Sequence, residues 1–146
     1  MRKKILVSLT ILAFVMLPFF AFKADYRLRF KKYNWTDIGR SAKSQNKMIF
    51  VLITGDYCST TKKMDRVMTD SRVCTFYNKN FVSTRFDSEN LGQYFRASNW
   101  GISQVPALVF LDKNQKVIHK VEGRALNVKD MIAEGEVAIE ISKCKK

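Results

Sequence analysis

Three cysteines, Cys58, Cys74 and Cys144, carry most of the reactive chemistry in this chain, and their surroundings differ sharply. Cys58 follows Met48 to Thr54 (MIFVLIT), a continuous apolar run of strand length, as expected of a strand buried on both faces. Gly55-Asp56-Tyr57 breaks that run, and Ser59 to Thr69 then reads as a helix with Met64, Val67 and Met68 turned inward. A thiol at a strand-to-helix junction meets unpaired backbone N–H groups and the positive end of the helix dipole, and both favour the thiolate. Such placement takes a thiol pKa from about 8.5 into the range of roughly 3.5 to 7.5. Lys62 and Lys63 add positive charge one turn away, and Ser59 and Thr60 are suited to cap the helix and donate to a thiolate. The chemistry expected of Cys58 is therefore nucleophilic attack by sulfur.

The other two thiols read differently. Cys74 lies near Val73 and Phe76 in a short helical stretch from Ser71 to Asn78, and is expected in the core, where cysteine is among the most buried residue types. A bond between Cys58 and Cys74 would need their Cα atoms within about 7 Å, which the intervening helix makes awkward. Cys144 sits in the tail Lys143-Cys144-Lys145-Lys146 and is expected to be exposed, free to resolve an adduct, bridge two chains, or do neither. His119 is expected to be an exposed strand residue, and one histidine with three dispersed cysteines makes no zinc pattern, so neither metal nor cofactor is expected. Asp56 and Asp65 flank the Cys58 helix without forming a carboxylate pair, and Asp65 reads as a solvated helix residue.

The elements that must hold Cys58 follow from the hydrophobic pattern. Thr36 to Gln45 is expected to be a helix with Ile38 and Ala42 on one face. Phe81 to Asp87 and Ala107 to Asp112 are strands, and Leu91 to Ser98 between them is a helix. The polar turn Lys113 to Lys116 leads into a fourth strand, Val117 to Glu122, and makes a hairpin. A C-terminal helix starts at Val128. The order is that of a βαβ unit followed by a hairpin and a closing helix, an α/β domain with a mixed sheet of about four strands flanked by helices.

At the N-terminus, Arg2-Lys3-Lys4 precedes an 18-residue run, Ile5 to Phe22, that carries no charge. This is the layout of an export signal, and the run is also just long enough to span a bilayer with the domain on the far side. Residues 1–24 are accordingly expected to be a signal peptide or membrane anchor, residues 25–34 a basic linker, and residues 35–146 the folded domain. Export would place the domain in the periplasm or on the outer side of a bacterial membrane, or in a eukaryotic secretory pathway, where Asn34-Trp35-Thr36 would be a glycosylation sequon. In an oxidising compartment an odd number of cysteines leaves at least one thiol free or bonded to another molecule. The net charge of +13 implies attraction to anionic surfaces. The basic residues are scattered without an aromatic-plus-basic motif, and no nucleic-acid partner is expected.

Taken together, Trp35, Lys47 to Val51, Tyr57-Cys58, Lys62-Lys63-Met64, Asn80-Phe81-Val82, Asp87, Trp100-Gly101-Ile102, Val105-Pro106-Ala107 to Asp112 and Gly123 resemble, in order and spacing, the thioredoxin superfamily and its exported branch. The resemblance covers roughly residues 35 to 133. It implies a thioredoxin-like fold, a cis Val105–Pro106 bond beside Cys58, and a polypeptide groove to which Trp100, Val105 and Pro106 contribute. It also marks two departures. The position of the second, resolving cysteine of Cys-x-x-Cys holds Thr61, whose hydroxyl cannot attack a disulfide. The buried acid of the preceding strand is replaced by Leu52.

These departures leave three functions open. The first is monothiol exchange through Cys58, an oxidoreductase or isomerase lacking its resolving cysteine, acting on protein or low-molecular-weight thiols. The second is a non-redox module that holds an extended polypeptide. The third is a domain that uses Cys58 as a disulfide link to a partner. The partners implied are a polypeptide bearing a thiol or disulfide, a small thiol, and a membrane through residues 5–22 where these are retained.

Overall fold

The computed structural model describes residues 27–32, 34–55 and 59–144. The expected leader, Asp56, Tyr57, Cys58 and the last two lysines lie outside the described residues. Among those described, no helix is long and apolar enough to cross a membrane.

Ten elements follow one another: β1 (Phe30–Lys31), α1 (Trp35–Gln45), β2 (Met48–Thr54), α2 (Ser59–Val67), α3 (Ser71–Asn80), β3 (Phe81–Asp87), α4 (Leu91–Asn99), β4 (Ala107–Leu111), β5 (Val117–Glu122) and α5 (Val128–Cys144). They build one five-stranded sheet of order β1-β3-β2-β4-β5. β1, β3 and β2 run parallel, with Met48 opposite Phe81 and Thr54 opposite Asp87. β4 runs antiparallel to β2, pairing Ile53 with Ala107 and Ile49 with Leu111, and β5 returns beside β4. The fold is thus the expected α/β arrangement with one strand more than the hydrophobic pattern shows. The extra strand comes from Phe30–Lys31, inside the segment read as linker. Two residues paired with Ser83 and Thr84 carry no period of their own, and the pairing is with a strand about fifty positions away.

β2 lies at the centre because its sequence is apolar on both faces, and every residue from Ile49 to Thr54 is buried. Ile49, Val51 and Ile53 face a cluster that takes in Ile38 and Ala42 of α1, Phe86 of β3 and Ala97 of α4. Phe50 and Leu52 face the opposite cluster, with Met64 of α2, Tyr77 of α3 and Met131 of α5. Within it Phe50 meets Tyr77 edge-on at 4.7 Å and Phe110 at 5.3 Å between ring centroids. Edge-to-face pairs of this kind add about 0.5–1.5 kcal/mol beyond the area they bury. The Tyr77 hydroxyl donates to the Met131 carbonyl at 2.7 Å, tying α3 to α5 through the core. α5 comes that close because Gly135 has no side chain: a Cβ there would stand 2.5 Å from the Phe76 ring.

Local chemistry sets the helix ends. Asn34, Asp70 and Asn90 cap α1, α3 and α4, each side chain accepting a backbone N–H of the first turn. α1 stops at Asn46, which takes the left-handed conformation at φ 50° while Lys47 N–H reaches back to the Ala42 carbonyl. Cys74 is fully buried, as expected, with its Sγ 3.1 Å from the Met68 carbonyl, and Cys144 is exposed. His119 departs from expectation. It is largely covered, stacked on Phe110 at 5.7 Å, with Nε2 2.6 Å from the Glu134 carboxylate. Strand alternation could not reveal this, because the cover comes from α5, whose Glu134 also binds Arg124 at 3.1 Å.

Candidate functional site

The parallel strands β2 and β3 end together, and their carboxyl ends define one end of the molecule. There β2 passes through Thr54 to Gly55, and α2 begins at Ser59. The sequence puts Asp56, Tyr57 and Cys58 between these two points, so the expected nucleophile itself lies outside the described residues. A Cβ on Gly55 would lie 2.9 Å from Ser88 Oγ and 3.5 Å from Val105 Cγ2, so the end of β2, the turn after β3 and the loop before β4 converge on one glycine. Ser88 N–H donates to the Thr54 carbonyl at 2.9 Å and locks the first two together.

The loop before β4 is held from below by Glu122. Its Oε2 accepts the N–H of Ser103 at 2.8 Å, the Ser103 hydroxyl at 3.3 Å and the N–H of Gln104 at 3.2 Å. These donors, the Ser103 N–H foremost, hold the Glu122 carboxyl below its ordinary pKa. Lys120 Nζ binds the Gly101 carbonyl at 2.7 Å, and Gly123 N–H donates to the Pro106 carbonyl at 3.0 Å. The Val105–Pro106 peptide bond within this loop is cis, with Val105 half-buried and Pro106 buried.

Two contacts hold α2 in place. Met64 is fully buried, and its sulfur accepts the Leu126 N–H at 3.1 Å. Arg85 of β3 reaches Asp65 at 2.8 Å and Thr54 Oγ1 at 3.0 Å, linking helix, strand end and neighbouring strand. Asp65 has the solvent-accessible side chain that its sequence position suggests, and it also pairs with Arg85. Thr61 stands on α2 at the position of the missing second cysteine. It is buried, and its Oγ1 has no hydrogen-bond partner among the described residues. Ser59 and Lys62 are exposed, as is Lys63, and Thr60 is half-buried.

Trp100 packs inward. It stacks on Phe86 at 5.6 Å and meets Trp35 at 5.4 Å, with the Arg96 guanidinium 4.7 Å from the Trp35 ring. Of the expected groove residues, Val105 lies beside Gly55, Pro106 follows it through the cis bond, and Trp100 is partly buried against the core cluster of Phe86. Next to this end, α4 exposes Leu91 (73 %), Tyr94 (51 %) and Phe95 (64 %), the last two edge-on at 6.1 Å. The sequence shows their helical spacing, but not that this face points outward. Glu122 and Arg85 also escaped the sequence reading, because their partners stand about twenty positions away and no local pattern announces them.

A family model for thioredoxin-like proteins matches residues 34–113. No curated protein matches the chain in sequence. Among solved structures, a candidate disulphide-isomerase from Bacteroides thetaiotaomicron superposes with a TM-score of 0.69 at 21% identity, over 78% of this chain and 94% of its own. A thioredoxin from Thermus thermophilus gives 0.68 at 16% identity over 80% and 93% of the two chains. The DsbH oxidoreductase gives 0.64 at 16% identity over 84% and 92%.

Proposed function

This chain belongs to the thioredoxin-like family, and from that premise we propose that it exchanges thiols and disulfides through the single thiol of Cys58. The observation that supports the reading is the convergence of Ser88 and Val105 on Gly55 at the end of β2, three positions before Cys58 in the sequence and four before the start of α2. The naming of similar folds as an oxidoreductase and a candidate disulphide-isomerase supports the same chemistry.

The step balances without a cofactor. The Cys58 thiolate attacks one sulfur of a substrate disulfide. The S–S bond breaks, a mixed disulfide forms, and the second substrate sulfur leaves as a thiolate that takes a proton from water. In a dithiol protein the residue three positions on would now attack. Thr61 cannot, so the adduct waits for an external thiol, from a small molecule or a partner protein, which takes the Cys58 sulfur as leaving group. Val105 and Pro106 flank the extended polypeptide, and Trp100 packs against the core cluster of Phe86. Residues 5–22 carry the domain across a membrane, where disulfides persist.

The exposed face of Leu91, Tyr94 and Phe95 favours a second reading, in which the domain holds a polypeptide without redox chemistry. The Cys58 thiol pKa separates the two. It is measured by pH-dependent alkylation of the full chain carrying Cys74→Ser and Cys144→Ser. The exchange reading expects a value well below about 8.5. An ordinary or raised value would leave the binding reading in its place.

A further inference from the structure

The end of the sheet opposite Gly55 has a charge pattern of its own. A groove of about 410 Å³ opens there between the α1–β2 junction, the β4–β5 turn and the last turns of α5. Lys47, Lys113, Lys116 and Lys143 line it against a single acid, Asp112. Asp112 is engaged in the turn, its Oδ1 accepting the N–H groups of Asn114 and Lys116 at 2.8 and 2.9 Å. The exposed acids of α5, Asp130, Glu136 and Glu140, do not line the groove. Its floor is apolar, with Met48, Val117 and Ile139.

The described chain enters the domain at this same end. Asn78 accepts the Arg29 N–H at 3.0 Å and donates to the Arg27 carbonyl at 2.8 Å, and its own carbonyl accepts Lys47 Nζ at 2.7 Å. One residue therefore joins the groove to Arg27, and Arg27 follows the uncharged run of residues 5–22 by only a few positions.

We propose that this basic end is a docking face for an anionic phospholipid surface, against which the domain rests when residues 5–22 are in the bilayer. Two independent features converge on it: the excess of lysine over acid, and the point from which the chain leaves for the apolar run. A negative lipid surface attracts juxtamembrane lysines and arginines within a Debye length, and four lysines grouped around one groove present that charge together. β2 runs from Met48 in the groove to Thr54, about 20 Å at the usual strand rise. Docking thus turns the Gly55 end, from which the sequence continues to Cys58, away from the membrane and toward soluble partners.

The test uses the full chain, Met1 to Lys146, reconstituted in vesicles of phosphatidylcholine alone or of phosphatidylcholine mixed with phosphatidylglycerol. Each lysine is acetylated in a short pulse and its rate read by mass spectrometry. Docking predicts that Lys113, Lys116 and Lys143 react several-fold more slowly on the anionic vesicles and regain their rate in high salt. Lys62 and Lys63 on α2 should react alike on both lipids. Equal rates at the groove lysines on the two lipids would overturn the proposal and leave the face to an acidic protein. Protection of Lys62 and Lys63 instead would overturn it by placing the other end on the membrane.

Discussion

Replacing Thr61 by valine probes the chemistry of the site with little disturbance of its packing. The two side chains have nearly the same volume, so the exchange keeps the buried position filled and removes only the hydroxyl. The Thr61 hydroxyl finds no partner among the described residues. A spacing of three residues is the one that sets two side chains on the same side of a helix, and Cys58 stands three positions before it. On the proposed reading, the hydroxyl donates to the Cys58 thiolate. A hydrogen bond to a charged group contributes about 1.5–3 kcal/mol, and one pKa unit corresponds to about 1.4 kcal/mol. Thr61→Val should therefore raise the Cys58 pKa by about one to two units, whereas Thr61→Ser, which keeps the donor, should leave it nearly unchanged. The assay is pH-dependent alkylation in the Cys74→Ser, Cys144→Ser background, with denaturant unfolding run alongside. With the thiol protonated, at a pH below the Cys58 pKa, global stability should not fall in the valine variant, since no hydrogen bond to a described residue is lost; the loss should appear only as the pH rises through that pKa and the thiolate forms. A Cys58 pKa that stays put in Thr61→Val would refute the reasoning and mean that the hydroxyl is spent on a backbone carbonyl one turn back.

Other outcomes follow from the same geometry. Thr61→Cys supplies a second thiol at the resolving position, and with a disulfide peptide and no added thiol it should release the reduced peptide and leave an internal disulfide in the protein, where the unaltered chain stays as the mixed disulfide, as read by mass spectrometry. Tyr77→Phe removes the donor to the Met131 carbonyl and should lower unfolding stability by about 1 kcal/mol, read from the denaturation midpoint. Burial, reinforced by the Glu134 charge, holds the Tyr77 hydroxyl far above its ordinary pKa, so the loss should be the same at every pH near neutrality. The Glu122 carboxyl has a lowered folded-state pKa, so its contribution is present above the ordinary carboxylate pKa of about 4.3 and is lost as pH falls below it through the folded value. Measured against the intrinsic exchange rate at each pH, the protection of the Ser103 and Gln104 amides should fall in that acidic window, and Glu122→Gln should remove this change in protection.

Much of this arrangement can be read from the sequence, because it depends on local periodicity. The unbroken apolar run from Met48 to Thr54 marks the central strand, and the polar turn after Asp112 marks the hairpin. The step from Gly55 to Ser59 locates the strand-to-helix junction. The helix spans differ from the expected ones by a residue or two at their ends, where fraying and caps decide the limit. Hidden from the sequence are the pairings made across space. Phe30–Lys31 is too short to show a period. The His119–Glu134 pair joins a strand to a helix that covers it. Glu122 organises a loop nearly twenty residues earlier, and Trp100 turns into the core through its stacking on Phe86. Each depends on which surfaces meet after the sheet assembles, and local pattern does not encode that.

The central claim is most directly tested by trapping the exchange intermediate. The full chain is mixed with a disulfide-bonded peptide, quenched with acid at intervals, and analysed by mass spectrometry with the site of attachment mapped. The account predicts a mixed disulfide on Cys58 that accumulates to one per chain, persists because Thr61 cannot resolve it, and disappears when a small thiol is added. Absence of the adduct on Cys58, or an adduct that clears without added thiol, would contradict it.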